Sequence, residues 1–202
     1  MEEWEALREG IFALRTRRFG SVAEILIKLL HNFDWGNDLA HDLTNNSKKE
    51  RIEVKFSTAQ KKSKTKITEE TILRGILEAS DEQRMFKSSA WKNNPFDCNI
   101  QQVKPKHFDI LYYGVFFSDK VVIFKIIPSQ LNKAINYSKK QHRGNKGEGQ
   151  FHLNNDTYQY HLNNFKEREL TYKEILNILN RTNTLEKVDK KLFSLFSALV
   201  LL

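Results

Sequence analysis

Val22, Ile25, Leu26, Leu29 and Leu30 fall on one stripe at helical spacing, with Glu24, Lys28 and His31 on the other side, so residues 20 to 32 read as an amphipathic helix. Residues 2 to 16 read as a helix before it. The period then changes. After the turn Asp34-Trp35-Gly36-Asn37, a short segment through Asp42 and the polar turn Asn45 to Lys49, Ile52, Val54 and Phe56 alternate with Glu53 and Lys55, the period-two pattern of a strand with one apolar face. Thr68-x-x-Thr71 opens another helix that runs to about Ala79. Residues 108 to 117 and 121 to 127 are nearly continuous apolar runs separated by Ser118-Asp119-Lys120. They predict a hairpin of central strands buried on both faces. Residues 129 to 137 read as a short helix and 171 to 181 as the last one. The order is that of an α/β protein, and without internal repeats or Pro- or Ser-rich linkers it predicts a single domain over residues 1 to 202.

Composition narrows the partners. With 202 residues, 40% of them hydrophobic and 14 of them Phe, the chain can bury a real core. A formal charge of +8 suggests a polyanion, because Lys and Arg on one surface bind phosphate backbones by releasing counterions. The single cysteine, Cys98, has no internal disulfide partner and fits a reducing cytoplasm. The start, Met-Glu-Glu-Trp-Glu, lacks the regions of a signal peptide, and no apolar run approaches the roughly 18 to 20 residues of a membrane span. A soluble protein away from the membrane is therefore expected. The apolar end Leu192 to Leu202 is expected to pack on the core or against a second subunit, which favours a homodimer.

Chemistry concentrates on the segment Asp42 to Lys55. Glu53 and Lys55 share the polar face of one strand, and an aspartate arriving from the preceding turn could join Glu53 in holding Mg²⁺, a hard cation that binds carboxylate oxygens and keeps several waters. Lys55 beside it could steer the attacking water or stabilise charge on a phosphate. Glu53-Val54-Lys55 is the only Glu-x-Lys in the chain. The rival Asp189-Lys190-Lys191 lies in a polar, helix-like stretch and is set aside. The bland alternative is an edge strand with a solvated charged face.

A helix bearing Glu24, an aspartate at Asp42, the strand Ile52-Glu53-Val54-Lys55-Phe56 and the buried strands after it together resemble the PD-(D/E)xK nuclease superfamily, and within it the small type II restriction endonucleases. Two further segments resemble stretches of bacterial restriction enzymes: Asn99-Ile100-Gln101-Gln102-Val103-Lys104-Pro105 through Phe108-Asp109-Ile110-Leu111, and Gln141 through Phe151. The resemblance covers roughly residues 20 to 165. It implies a restriction-endonuclease-like fold with a mixed central β-sheet flanked by helices. It further implies Mg²⁺ bound by Asp42, Glu53 and the carbonyl of Val54, with Lys55 near the attacking water and Glu24 approaching the metal through water. The chain departs from the pattern in having His41 where the superfamily has proline, and Asp38 stands as an alternative to Asp42. Glu24 also has a plain reading as an exposed i,i+4 partner of Lys28.

The expected substrate is double-stranded DNA and the expected place the bacterial cytoplasm. Lys61, Lys62, Lys64 and Lys66 are candidates for holding its backbone. In the glycine-rich loop from 139 to 154, Arg143 suits guanine, Asn145, Gln150 and Asn154 suit adenine, Lys146 suits guanine or phosphate, and Lys140 and His142 lie among them. Gln101, Gln102, Lys104 and His107 form a second candidate contact surface. His41, His142, His152 and His161 lack ligand spacing and read as surface or DNA-proximal residues, and Ser57 and Thr58 as turn formers or supports of the metal shell. A repair or resolution nuclease without strict sequence specificity, and a non-catalytic basic nucleic-acid-binding protein, are the competing functions.

Overall fold

The computed structural model describes residues 2–14, 16–37, 40–61, 65–140 and 147–180. In chain order the elements are α1 (Glu3–Ala13), α2 (Thr16–His31), β1 (Asp34–Trp35), β2 (Leu43–Asn45), β3 (Glu50–Thr58), α3 (Ile72–Glu78), α4 (Asp81–Arg84), β4 (Asp97–Val103), β5 (Ile110–Phe116), β6 (Lys120–Ile126), β7 (Gly149–Asn154), α5 (Tyr158–Asn164), β8 (Lys166–Thr171) and α6 (Tyr172–Asn180). Six strands build a mixed sheet in the order β1-β2-β3-β5-β6-β8, while β4 and β7 form a separate two-stranded ribbon. The β3–β5 pair is parallel and the other pairs of the large sheet are antiparallel. A parallel pair needs a long crossover, and the chain between Thr58 and Ile110 supplies it with α3, α4 and β4. The expected mixed sheet flanked by helices is thus present.

The two faces of the sheet bury separate cores. On one face Ile52 and Val54 of β3 pack with Ile110 and Tyr112 of β5, Leu26 and Ile27 of α2, Ile11 and Phe12 of α1, and Ile175 of α6. Phe56 joins them opposite Gly114, where a Cβ would stand 2.2 Å from its ring, so only glycine leaves the ring that place. On the other face Leu111, Tyr113 and Val115 of β5 meet Val122 and Phe124 of β6 beneath the ribbon residues Cys98, Ile100, Phe151 and Leu153. Every residue of β5 is buried, as its continuous apolar run requires.

Several sequence expectations change. Helix 2 to 16 ends at Ala13, where Leu14 turns extended, and the second helix begins at Thr16. The expected helix 129 to 137 is two short 3₁₀ turns, Pro128–Gln130 and Lys133–Ile135, closed by Asn136 in the left-handed region with φ 53°. The end of the expected loop from 139 to 154 is strand β7.

His161 is not a surface residue. It is fully buried on α5, stacked on Phe151 at 5.7 Å, with its Nδ1 2.7 Å from the Tyr113 hydroxyl. His152 sits on the ribbon with its Nδ1 2.7 Å from Asp97, and His41 Nε2 lies 3.1 Å from the Thr44 hydroxyl. Lys62, Lys64, Asp38, His142, Arg143, Asn145, Lys146 and the run Leu192 to Leu202 lie outside the described residues. Among the described residues no helix is long and apolar enough to cross a membrane.

Candidate active site

Strand β2 pairs with β3 only over residues 50 to 52, ending at Leu43 opposite Ile52. Asp42 continues the ladder by one bond, its N–H donating to the Ile52 carbonyl at 3.1 Å. The next β3 peptide to face that side is Val54, and among the described residues no strand meets it. The carboxylate of Asp42 takes the strand's place, with Oδ2 accepting from the Val54 N–H at 2.8 Å. The same oxygen lies 3.3 Å from Lys55 Nζ.

Lys55 gathers the rest of the site. Because side chains alternate along β3, Glu53 and Lys55 project together away from the Ile52–Val54–Phe56 face, and Lys55 Nζ reaches Glu53 Oε1 at 2.5 Å. The Val54 carbonyl accepts from the same ammonium at 3.1 Å. Two carboxylates and one peptide oxygen therefore converge on a single cation. The face is not the solvated one of a plain charged edge strand, since Glu53 is only 9% exposed.

Burial and crowding leave the acids unbalanced. Burial pushes the Glu53 carboxyl above its usual range, with Asp42 and Glu24 adding repulsion and Lys55 opposing it. Glu24 on α2 is also raised, by burial first and then by the charge of Asp42. For Lys55 burial works against the ammonium, yet Glu53 and Asp42 outweigh it and keep it charged. Glu24 thus belongs to the electrostatics of this site. Lys28, its alternative partner, instead lies over the Trp35 ring at 6.0 Å.

The donor set suits a hard divalent cation. Among the described residues no three His, Cys, Asp or Glu side chains gather as a metal-holding group. Mg²⁺ does not need one, since it is commonly held by one or two carboxylates and keeps several waters. Asp42, Glu53 and the Val54 carbonyl fit that requirement, and the ammonium of Lys55 already occupies the point where a cation is favourable.

Gly36 fixes the loop that delivers Asp42, although nothing in the sequence singled it out. Its N–H donates to the Asp42 carbonyl at 3.0 Å, and a Cβ at this position would stand 2.5 Å from the His41 carbonyl oxygen, a backbone atom that cannot rotate aside. Gly36→Ala is expected to push His41 and Asp42 away from β3. Losing the Asp42 contact should then speed hydrogen exchange at the Val54 amide about tenfold, matching a net hydrogen bond of roughly 1 kcal/mol or more. An unchanged Val54 exchange rate would show that the loop absorbs the methyl elsewhere.

The ribbon brings together residues that the sequence assigned to two separate surfaces. Gln101 and Gln102 of β4 lie opposite Gln150 of β7, and Asn99 Nδ2 donates to Gln150 Oε1 at 3.3 Å. Asn99 was not among the candidates, although its place in the alternation of 97 to 100 could have found it. Asn154 sits on the same strand, but its carboxamide oxygen accepts from the Asp156 and Thr157 N–H groups and is committed to the turn before α5. Lys104 pairs with the buried Glu148 at 3.0 Å, His107 and Lys140 are exposed, and the Lys61 N–H donates to the Arg84 carbonyl. Ser57 lies on β3 beyond Lys55, and the Thr58 carbonyl accepts from the Cys98 thiol. No protein-family model, curated protein or solved structure matches the chain, so the geometry of the site is what speaks to function.

Proposed function

We propose that the protein is a Mg²⁺-dependent endonuclease of the PD-(D/E)xK kind that hydrolyses phosphodiester bonds of double-stranded DNA at a short specific sequence, in the manner of a type II restriction endonuclease. The observation that carries this is the convergence of Asp42 Oδ2, Glu53 Oε1 and the Val54 carbonyl on Lys55 Nζ. The formal charge of +8 supports a polyanionic substrate. A type II enzyme cuts both strands, so the reading includes a homodimer whose two-fold axis matches a palindromic site.

In this reading Asp42, Glu53 and the Val54 carbonyl hold Mg²⁺, which when bound supplies charge relief on the phosphate and an activated water. With those oxygens holding the cation, the Lys55 ammonium would instead donate to a non-bridging phosphate oxygen or to the attacking water, holding the nucleophile in line. Glu24 orients water at the edge of the site through its carboxylate.

Incubation of the purified protein with phage DNA in Mg²⁺, and again with EDTA, tests this reading. Discrete fragments that vanish with EDTA are expected. No cleavage would overturn the nuclease, while a metal-dependent smear would retain the chemistry and remove the sequence specificity. Sedimentation showing only monomers at micromolar concentration, free and on DNA, would remove the dimer.

A further inference from the structure

We propose that the outer face of the β4–β7 ribbon enters the major groove and reads adenine, so that the recognised sequence contains A·T pairs where the ribbon lies; this rests on the nuclease reading only in taking DNA as the partner. The ribbon's inner residues Cys98, Ile100, Phe151 and Leu153 are buried on the sheet face to which Glu53 and Lys55 also project. Its outer face is free of that core. A regular strand would alternate Gln101 and Gln102 to opposite faces. Here the register shifts between Ile100 and Val103, so two residues of β4 oppose the single Gln150 of β7, and both glutamines are exposed.

The bulge is retained against its local cost. Gln102 has φ 57°, in the left-handed region where glycine would be unstrained. The strain puts adjacent carboxamides on one side of the ribbon, beside Asn99 and Gln150. No Lys or Arg stands in either strand.

That chemistry selects a base. A carboxamide offers one acceptor and one donor side by side, matching the N6 donor and N7 acceptor of adenine, whereas guanine presents two acceptors in the major groove and calls for Arg or Lys. Two strands spaced about 4.8 Å apart fit a major groove about 12 Å wide, and not a minor groove about 6 Å wide. At the ribbon's base Lys106, His107 and Lys139 border a cavity of about 670 Å³ that also contains the Lys104–Glu148 ion pair, and these three residues are placed to meet flanking phosphates.

The test is selection of randomised DNA duplexes by the full chain, with Ca²⁺ in place of Mg²⁺ so that the duplex is not cut. The wild type should enrich a motif containing A·T pairs, and replacing its adenines with 7-deazaadenine, which lacks N7, should weaken binding about tenfold or more. Gln101→Ala and Gln102→Gly should each lose preference at one or two A·T positions. Because glycine is at ease at φ 57°, Gln102→Gly should keep or raise the thermal midpoint, so its lost discrimination cannot come from unfolding. A motif of G·C pairs alone, the same motif from the glutamine variants, or no motif would overturn the proposal. A clear A·T motif without cleavage in Mg²⁺ would sink the nuclease and leave adenine reading intact. A smear of cleavage without a motif would do the reverse.

Discussion

Asp42→Asn and Glu53→Gln are each expected to lower DNA cleavage by at least about a hundredfold, the scale seen when one preorganised electrostatic group is lost from an active site. Neither should unfold the protein. In Asp42→Asn the new side-chain amide oxygen can still accept from the Val54 N–H, the structural contact that Asp42 makes at 2.8 Å. Glu53→Gln leaves the buried Lys55 ammonium with Asp42 as its remaining carboxylate partner, so it should lower stability near neutral pH while the fold is kept. Lys55→Met gives the sharper contrast. Lys55 stands where the cation would bind, with Glu53 at 2.5 Å and Asp42 at 3.3 Å, so the metal must displace it. Removing the ammonium should abolish cleavage, lower stability without metal, and increase the thermal stabilisation given by millimolar Ca²⁺ relative to wild type. Calorimetric titration with Ca²⁺ and thermal melts across the three variants check this. If Lys55→Met binds Ca²⁺ no better than wild type, Lys55 does not compete for the cation position. If Asp42→Asn cleaves at wild-type rates, Asp42 is not a ligand and Asp38 takes its place.

Strand β3 was legible because alternation and chemistry coincide there: Ile52, Val54 and Phe56 must enter a core, and Glu53 and Lys55 have no choice but the other face. The β5–β6 hairpin was legible for a related reason, since continuous apolar runs leave no solvent face. The ribbon was not. In β7 the order Gly149-Gln150-Phe151-His152-Leu153-Asn154 does alternate, but the basic glycine-rich residues before it dominated the reading. In β4 the alternation of Cys98 and Ile100 breaks at Gln101-Gln102, and a bulge is set by pairing with a distant strand, which local period cannot show. Short β2 escaped for lack of length, three residues being too few to establish a period. Asp42 was identified by its type and spacing, whereas its capping of Val54 depends on Gly36 approaching the His41–Asp42 backbone. His161 was misplaced because a histidine among polar residues looks exposed until the helix face that meets Tyr113 and Phe151 is known.

That burial makes His161 an acid sensor of stability. The side chain is enclosed by Tyr113, Phe124, Phe151 and Phe165, and burial lowers its pKa to about 4. In the unfolded chain an ordinary histidine titrates near 6.5, so between those values the unfolded state binds a proton that the folded state refuses. Stability from this group is therefore complete above about pH 6.5 and is lost as pH falls toward about 4, at up to roughly 1.4 kcal/mol per pH unit and on the order of 3 kcal/mol in all. His31, also lowered to about 4 mainly by burial, acts in the same direction. Glu53 and Glu24 oppose both, because acids raised on folding take up protons in the folded state first and gain stability on acidification above their ordinary range. The difference between wild type and a His161 variant isolates the histidine from these groups. His161→Phe combined with Tyr113→Phe replaces the imidazole and removes the hydroxyl that would lose its partner 2.7 Å away. Urea unfolding at a series of pH values from about 7 to about 4.5 should show wild type losing roughly 2 to 3 kcal/mol more than the double variant. Parallel pH profiles for the two proteins would mean that His161 takes up its proton without unfolding, and that the aromatic nest admits the charge.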